Sequence, residues 1–587
     1  MRLQIEGHPY PNTFEISETI KGLDSARTKG GKVVVNSVGY YYNPKIRDVV
    51  FILPKVVVDD SGKAFGRTSP EEIVNLEKGK LGDKELKFLY EFSVWIHRAI
   101  VVFNDSHPDN TIVESLNIEE AGQTGTRKQA NTLLDIIISL LHFNRENRSY
   151  ITFVVKNIHS GHNRINWTCT IAHRNAVVQE QAPVYIDPVN KKRQINFDEE
   201  LMVIYISILQ HISDCYGFRV EIPFGFKLIR GARFEGYLSG YGRRRLRQIK
   251  YKYFSDAALR LWDLCYAFFD KSYLLRTNAN RCEYLLARNF NIVFEAIIDE
   301  LIGDKDLPSG LKEQDDKKRV DHLYVYDALL TNRGADSEIF YNGDSKYYTI
   351  GHEPGRESVY KQYTYARNVI QWSVDPARKK DKDDRFGKIR LRDELTEGYN
   401  VVPNFFISAK IDPARLDDTD RTSLHFGQPR ISRQFENRLF DRGTLIVSHF
   451  DVNFLFAVSL YARNNAAEKR SWKSGIHTRL RSAIRALLGL HFDLYAMEAR
   501  PGVEAANYFK DNFRQTLGKV FRPFENKDIF ALALDKNPKY KAENRKLFSH
   551  LQESFHVIRC KFGEDPSEDT GNFHQRAIEQ TQNPYIP

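Results

Sequence analysis

The stretch FYNGDSKYY, Phe340 to Tyr348, sets an acid and a base two residues apart inside an aromatic run. Aromatic neighbours favour a strand. Side chains alternate across a strand, so Asp344 and Lys346 share one face while Ser345 takes the other. Ionised groups placed in an apolar strand are costly unless they are paired or bound to something. The chain therefore has to fold so that this face reaches a site where another charge, a metal or a ligand compensates the acid.

Composition narrows the classes of site. The chain has 587 residues, too many for one ordinary core, and 28% of them are charged, as in folded proteins rather than disordered ones. Its formal net charge of +10 points toward a polyanionic partner. The five cysteines, Cys169, Cys215, Cys265, Cys282 and Cys560, are scattered and form no C-x-x-C pair, which argues against a disulfide scaffold and a thiolate metal site. The start, MRLQIEGHPYPNTFE, has no apolar signal core, and the apolar runs Leu133 to Leu141 and Phe454 to Ala462 are too short to span a bilayer. A cytoplasmic protein is expected. No G-x-x-x-x-G-K-[S/T] loop occurs, so any nucleotide-driven motor must come from another chain.

Along the chain, residues 32 to 60 read as a strand meander, and Leu86 to Val102 and Thr126 to Leu141 as helices, with Arg127 and Lys128 opening the second. A β-rich stretch is expected over 150 to 225, with Ile165 to Ile171 as a strand, and helical spacing recurs over Asp198 to Cys215 and Ser255 to Ile302. Arg319 to Leu330 and Glu338 to Ile350 then read as a hairpin turned at NRGAD, followed by a helix over Ser358 to Trp372. PARKKDKDDR reads as a solvated loop, NVVPNFFISAKI and Thr444 to His449 as strands, and Asn453 to Ala462 and Ile476 to Leu490 as helices.

An acid-x-lysine triplet is weak evidence by itself. The chain has five, the others being at Glu85, Asp315, Asp316 and Glu525, and taken singly each reads as a surface pair. Only Asp344-x-Lys346 is centred in an aromatic strand. Its hairpin partner opens with Asp321 in RVDHLYVYDALL, a helix before it presents Glu295 in NIVFEAIIDELIGD, and a helix after it presents Gln362 and Tyr365 in SVYKQYTYARNVI. Asp327 shares strand parity with Asp321 but lies six residues on, roughly 20 Å at strand rise, so only one of them can face Asp344; Asp321 is the expected one. The chemistry that uses three hard carboxylates and a lysine is phosphodiester hydrolysis with Mg²⁺, or Mn²⁺ in its place. The carboxylates hold the ion, and the lysine orients or deprotonates a water and offsets charge on the phosphate.

The order Glu295, Asp321, Asp344-x-Lys346, Gln362 resembles the PD-(D/E)xK nuclease fold, and more narrowly the McrC-like and LlaJI-like restriction endonuclease subunits. FYNGDSKYY resembles that family's strand ending in D-x-K-Y-Y, VFEAIIDEL its F-E helix, and YKQYTYA its glutamine-tyrosine helix. VGYYYNPKIRDVVFILPKV and RINWTCTI resemble the V-G strand, P-K strand and I-N-W-x-x-T-I segment of the LlaJI-like pattern. The resemblance covers most of residues 30 to 460; 463 to 587 resemble nothing in it. Val320 stands in place of the pattern's proline, a change that many members of the fold tolerate, and glutamine and tyrosine are three apart where relatives often have four. The resemblance implies that Asp321, Asp344, Glu295 and the Ser345 backbone carbonyl hold the metal. It also implies that Lys346 is catalytic and that Gln362 and Tyr365 support the site near DNA. It implies double-stranded DNA as substrate, a separate McrB-like AAA+ GTPase or ATPase as partner, a bacterial cytoplasmic setting and a possible homo-oligomer.

The fold class expected is a multidomain α+β or α/β chain. A β-rich domain for partner binding or DNA recognition covers 1–125, and a mixed helical and β region with a basic segment covers 126–284. A nuclease core covers 285–410, and a mixed, mainly helical region 411–587. The basic segment, GYGRRRLRQIKYKY, offers Arg243, Arg244, Arg245, Arg247, Lys250 and Lys252 for a phosphate backbone, with a solvated linker face as the alternative. Arg479, Arg481 and Arg485 are a weaker version of the same pattern and read as structural. His159, His162, Cys169 and His173 have zinc-like spacing, but a strand at Ile165 to Ile171 would strand the first pair in a loop, which favours no metal there. Two other readings compete with the nuclease: a catalytically silent adaptor that binds DNA and stimulates an NTPase, and a motor-independent nuclease acting on RNA or modified DNA.

Overall fold

The computed structural model describes residues 2–577 except for 75–82, 117–131, 148–154, 159–163, 217–219, 221–224, 278–282, 314–318, 332–337, 350–354, 375–388, 412–424 and 567–572, and shorter breaks of one to three residues. The chain is mixed α/β with several sheets, and it divides into two compact units. The first comprises 1–54, 68–100 and 109–288, the second 55–67, 101–108 and 289–587. Among the described residues no helix is long and apolar enough to cross a membrane.

The first unit is organised by a five-stranded sheet. Its strands are β1 (Arg2–Ile5), β2 (Ser37–Asn43), β3 (Asp48–Leu53), β4 (Val113–Leu116) and β5 (Glu283–Arg288), in the spatial order β1-β3-β2-β5-β4. Every residue of β2 is buried, in keeping with a central strand rich in valine and tyrosine. Gly39 adopts φ 137°, and a Cβ there would lie 2.3 Å from the Leu285 carbonyl oxygen, so glycine alone lets β5 approach. The same unit holds α1 (Leu133–Glu146), α2 (Glu200–Tyr216), α3 (Gly242–Ile249) and α4 (Asp256–Thr277), and α4 packs against the other three.

Three expectations are corrected here. Ser255 to Ile302 is not continuously helical, because β5 interrupts it. Glu283 is consumed there by Lys271, and the short apolar run joins the sheet rather than a helix face. Ile165 to Ile171 is not a strand: Trp167–His173 is a helix whose N-cap Asn166 accepts from the Cys169 amide, a local bond that outweighs the alternating pattern. The second early helix begins at Leu133, where Thr132 and Asp135 form a capping box. Arg127 and Lys128 lie outside the described residues.

A buried ion pair ties the first unit together. Lys271 Nζ of α4 lies 2.7 Å from Glu283 Oε2, and both side chains are fully buried. Glu283 also accepts from the Tyr40 hydroxyl at 3.1 Å and from the Leu133 amide at 2.7 Å. Burial raises the Glu283 pKa, and Lys271 opposes that rise. Lys271→Met leaves a lone buried carboxyl and is expected to cost roughly 3–5 kcal/mol in urea unfolding, whereas Lys271→Met with Glu283→Leu recovers most of the loss. A single variant as stable as the parent would refute this role.

In the second unit, α5 (Phe290–Ile302) precedes a hairpin of β6 (His322–Asp327) and β7 (Glu338–Lys346). Then come α6 (Arg356–Val374), β8 (Asn404–Lys410), β9 (Leu445–Asn453), α7 (Phe454–Ala462) and α8 (Ala466–His491). The strand order is β6-β7-β8-β9, with His425–Phe426 and Arg430–Ser432 also pairing β9, so the sheet runs on past residue 410. β6 and β7 are antiparallel, while β7, β8 and β9 are parallel. A parallel step needs a crossover, which is where α6 falls. One sheet face carries Val325, Phe340 and Leu445 packed with Ala366 and Val369 of α6. Each such buried aliphatic or aromatic side chain contributes roughly 1.5–3 kcal/mol.

Gly343 holds the two parallel strands close, since a Cβ there would meet the Phe405 ring at 2.1 Å. α8 is pinned to the sheet end: Arg481 donates to the Ala328 carbonyl at 2.8 Å, and Lys473 Nζ lies 2.6 Å from Asp304 Oδ1. Arg485 donates to the Phe562 carbonyl. The last region is mixed: beside its helices, β10 (Phe492–Ala499), β11 (Ile529–Asp535) and β12 (Phe555–Cys560) form a sheet with Val520–Phe521. The NRGAD turn and PARKKDKDDR lie outside the described residues.

Candidate active site

The hairpin register decides which acids meet. His322 pairs with Gly343, so continuing by one residue sets Asp321 opposite Asp344 on the face that carries Leu323 and Val325. Asp327 pairs instead with Glu338 at the far end, and its carboxylate lies 3.7 Å from Arg481. Asp344 is buried at 6% exposure, and its Oδ2 is 2.5 Å from Lys346 Nζ. The lysine stands over the Phe406 ring at 5.4 Å.

Asp321 carries the electrostatic signature of the site. Burial, the Glu295 charge and the Asp344 charge push its pKa up to about 8, with Lys346 pulling the other way. Asp321 therefore keeps its proton at neutral pH and shares it in a hydrogen bond with Asp344. Glu295 acts on Asp321 through its charge from α5, where it is half-buried beside the buried Phe294. Ser345 projects from the opposite face of β7, between the acid and the lysine.

Gln362 and Tyr365 lie on α6 with different surroundings. Tyr365 packs against the apolar cluster of Val325, Phe340 and Leu445. Gln362 is completely buried, and neither its amide oxygen nor its nitrogen has a hydrogen-bond partner among the described residues. Leaving such an amide unmatched costs about 1–3 kcal/mol, so its presence needs a reason other than packing.

The donor set suits a hard divalent cation: carboxylate oxygens in excess negative charge, one of them forced to hold a proton by its neighbours. As they stand, no three His, Cys, Asp or Glu side chains among the described residues converge to hold a metal ion. Asp321 and Asp344 already touch, and Glu295 is the third carboxylate, whose charge acts on Asp321.

The basic segment is largely engaged within its own unit. Arg243 pairs with Asp270 at 3.0 Å and stacks on Tyr273, and Arg245 pairs with Glu200 at 2.5 Å. Arg247 donates to the Tyr266 hydroxyl, Lys250 stands over Trp262 at 4.1 Å, and Lys252 lies 3.6 Å from Glu200. Arg244 is exposed. Of the zinc-like set, Cys169 Sγ and His173 Nδ1 are 3.7 Å apart on one helical turn, while His159 and His162 lie outside the described residues.

Sequence reasoning missed a second polar group on the same sheet face, Ser408, Lys410, His449 and Asp451. Their signal is the alternation in NFFISAK and LIVSHFDVN, where polar residues occupy one face of each strand's second half.

A carboxyl whose pKa is raised in the fold binds its proton more tightly there than in the unfolded chain. Its contribution is present below the ordinary carboxylate range and is lost as pH rises toward about 8. In metal-free buffer the thermal midpoint is expected to fall by several degrees between pH 5 and pH 8.5, and Asp321→Asn is expected to flatten that fall. A midpoint that holds or rises over this range in the parent would contradict the shared proton. Compared with protein-family models, with curated proteins and with solved structures, the chain matches none.

Proposed function

We propose that this chain is a metal-dependent DNA endonuclease subunit of a McrBC-like or LlaJI-like restriction or anti-phage system. It would act in the bacterial cytoplasm on double-stranded DNA when activated by a separate AAA+ NTPase. The observation that carries the reading is the meeting of Asp321 and Asp344 beside Lys346, with the Glu295 charge acting on Asp321. The succession of helix, antiparallel hairpin, helix and parallel strand is the order in which the PD-(D/E)xK resemblance needs these residues.

Asp321, Asp344 and Glu295, with the Ser345 carbonyl, would hold Mg²⁺ or Mn²⁺. The ion would supply Lewis-acid charge to the phosphate and acidify a bound water. Lys346 is held against Asp344 at 2.5 Å, so its ammonium is aimed where a scissile phosphate would gain negative charge. The same group can orient the attacking water. Gln362 of α6 adds support: a buried amide with open hydrogen-bonding capacity is a cost expected at sites that bind something.

Cleavage of supercoiled and linear duplex DNA with Mg²⁺, alone and with the AAA+ partner and GTP or ATP, tests the reaction. Asp344→Ala and Lys346→Ala are expected to lower the rate by about 10²–10³-fold or more with folding intact. Variants as active as the parent would sink the assignment. Gln362→Leu is expected to raise unfolding stability by roughly 1–2 kcal/mol while lowering cleavage, since it removes the unmatched amide. A loss of both stability and activity would make Gln362 an ordinary core residue.

A further inference from the structure

The polar half of the sheet face continues beyond Lys346. β8 sets Ser408 beside Lys346, and β9 sets Asp451 beside Ser408 and His449 beside Phe406. Residues paired across parallel strands share a face, and each step between strands is about 4.8 Å. Lys346, Ser408 and Asp451 thus form a row running away from the carboxylates, with Lys410 next along β8 and His449 one alternation back along β9.

These side chains are engaged with one another. Ser408 Oγ lies 2.8 Å from His449 Nε2, Lys410 Nζ lies 2.6 Å from Asp451 Oδ2, and His449 Nε2 lies 3.7 Å from Asp451 Oδ1. The set is not a Ser-His-Asp relay, which needs one imidazole nitrogen for the serine and the other for the acid. Here a single nitrogen faces both. Ser408 is buried at 3%, while the side chains of His449 and Lys410 are 28% and 41% exposed. The Phe406 ring holds Lys346 at 5.4 Å and meets the His449 ring edge-on at 6.5 Å, which spaces the two nitrogen groups.

A hydroxyl, an imidazole and an ammonium gathered on one face, steadied by a carboxylate, offer donors that suit a phosphate oxygen. Successive phosphates of one strand advance about 3.4 Å along the helix axis, and the backbone path between them is longer than that rise. A group one to two strand steps from Lys346, roughly 5–10 Å away, is therefore placed for the neighbouring phosphate.

We propose that Ser408, His449 and Lys410 form a subsite that holds the phosphate next to the scissile one, with Asp451 positioning Lys410. The proposal rests on the nuclease reading above and names how the same site grips its strand. It accounts for ionisable groups gathered on the same face one to two strands from Asp344, which the hydrolytic step does not use.

The test separates grip from reaction. Binding of a fluorescein-labelled duplex to the full chain is read by anisotropy across a salt series in the Asp344→Ala background, where no cleavage complicates it. Lys410→Met is expected to weaken binding and to lower the slope of log affinity against log salt by about one, whereas Lys410→Arg keeps the slope. Ser408→Ala and His449→Gln are expected to weaken binding about threefold to thirtyfold. In the cleavage-competent chain they are expected to raise KM with kcat changed less than about threefold. Thermal midpoints accompany each variant, and Lys410→Arg guards against a Lys410→Met that fails to fold. Affinity and salt slope unchanged in folded variants would overturn the subsite, even if the parent cleaves DNA. A parent that never cleaves but loses slope on Lys410→Met would keep the phosphate contact and remove the nuclease reading.

Discussion

The hydrogen-bonded pair of Asp321 and Asp344 is the constraint around which the second unit is arranged. Two carboxyls brought together out of water cannot both ionise without large repulsion, and Glu295 adds a third charge to the same field. Lys346 offsets part of it at 2.5 Å from Asp344, yet Asp321 still stays protonated to about pH 8. Nothing about packing requires this arrangement. A chain selected for stability alone would place apolar residues at these positions, and the rest of the sheet shows that it can do so.

The sheet face carrying the pair is divided along its length. At one end Val325, Phe340 and Leu445 pack with α6 into a dry cluster. At the other, Asp321, Asp344, Lys346, Ser408, Lys410, His449 and Asp451 take the same face. The polar end coincides with the carboxyl ends of the parallel strands β7, β8 and β9, where open α/β sheets leave a crevice for ligands. The apolar half supplies the rigidity that keeps the charged half in register. Gly343 contributes by letting the Phe405 ring pack where any side chain would collide.

How much of this was legible follows from the range of each interaction. The placement of Asp344 and Lys346 on one face needs only strand alternation, so nine residues reveal it. Asp321 needs one hairpin register, and the choice against Asp327 follows from rise per residue; the pairing of His322 with Gly343 is the registration that choice required. Local capping decides what alternation cannot: Asn166 turns a strand-like run into the helix Trp167–His173, and Thr132 with Asp135 starts α1. β5 was hidden between two long helical patterns because its partners, β2 and β4, lie far away in the chain. Ser408 and His449 were hidden for the same reason. Their meeting depends on parallel pairing of β8 with β9, which no local spacing encodes.

The two buried charge clusters make a further point about what burial means in this chain. Lys271 and Glu283 are fully buried, matched one to one, and supported by the Tyr40 hydroxyl and the Leu133 amide. That network closes on itself, so it fixes geometry and leaves nothing for a ligand to add. The cluster around Asp321 has three carboxyl groups against one lysine, and Gln362 of α6 keeps an amide that bonds to nothing described. A network that does not close by itself is stable only because the surrounding core over-determines it, and it gains most from whatever supplies the missing positive charge. The difference between a closed and an open network, rather than burial of charge as such, is what separates the structural pair in the first unit from the candidate site in the second.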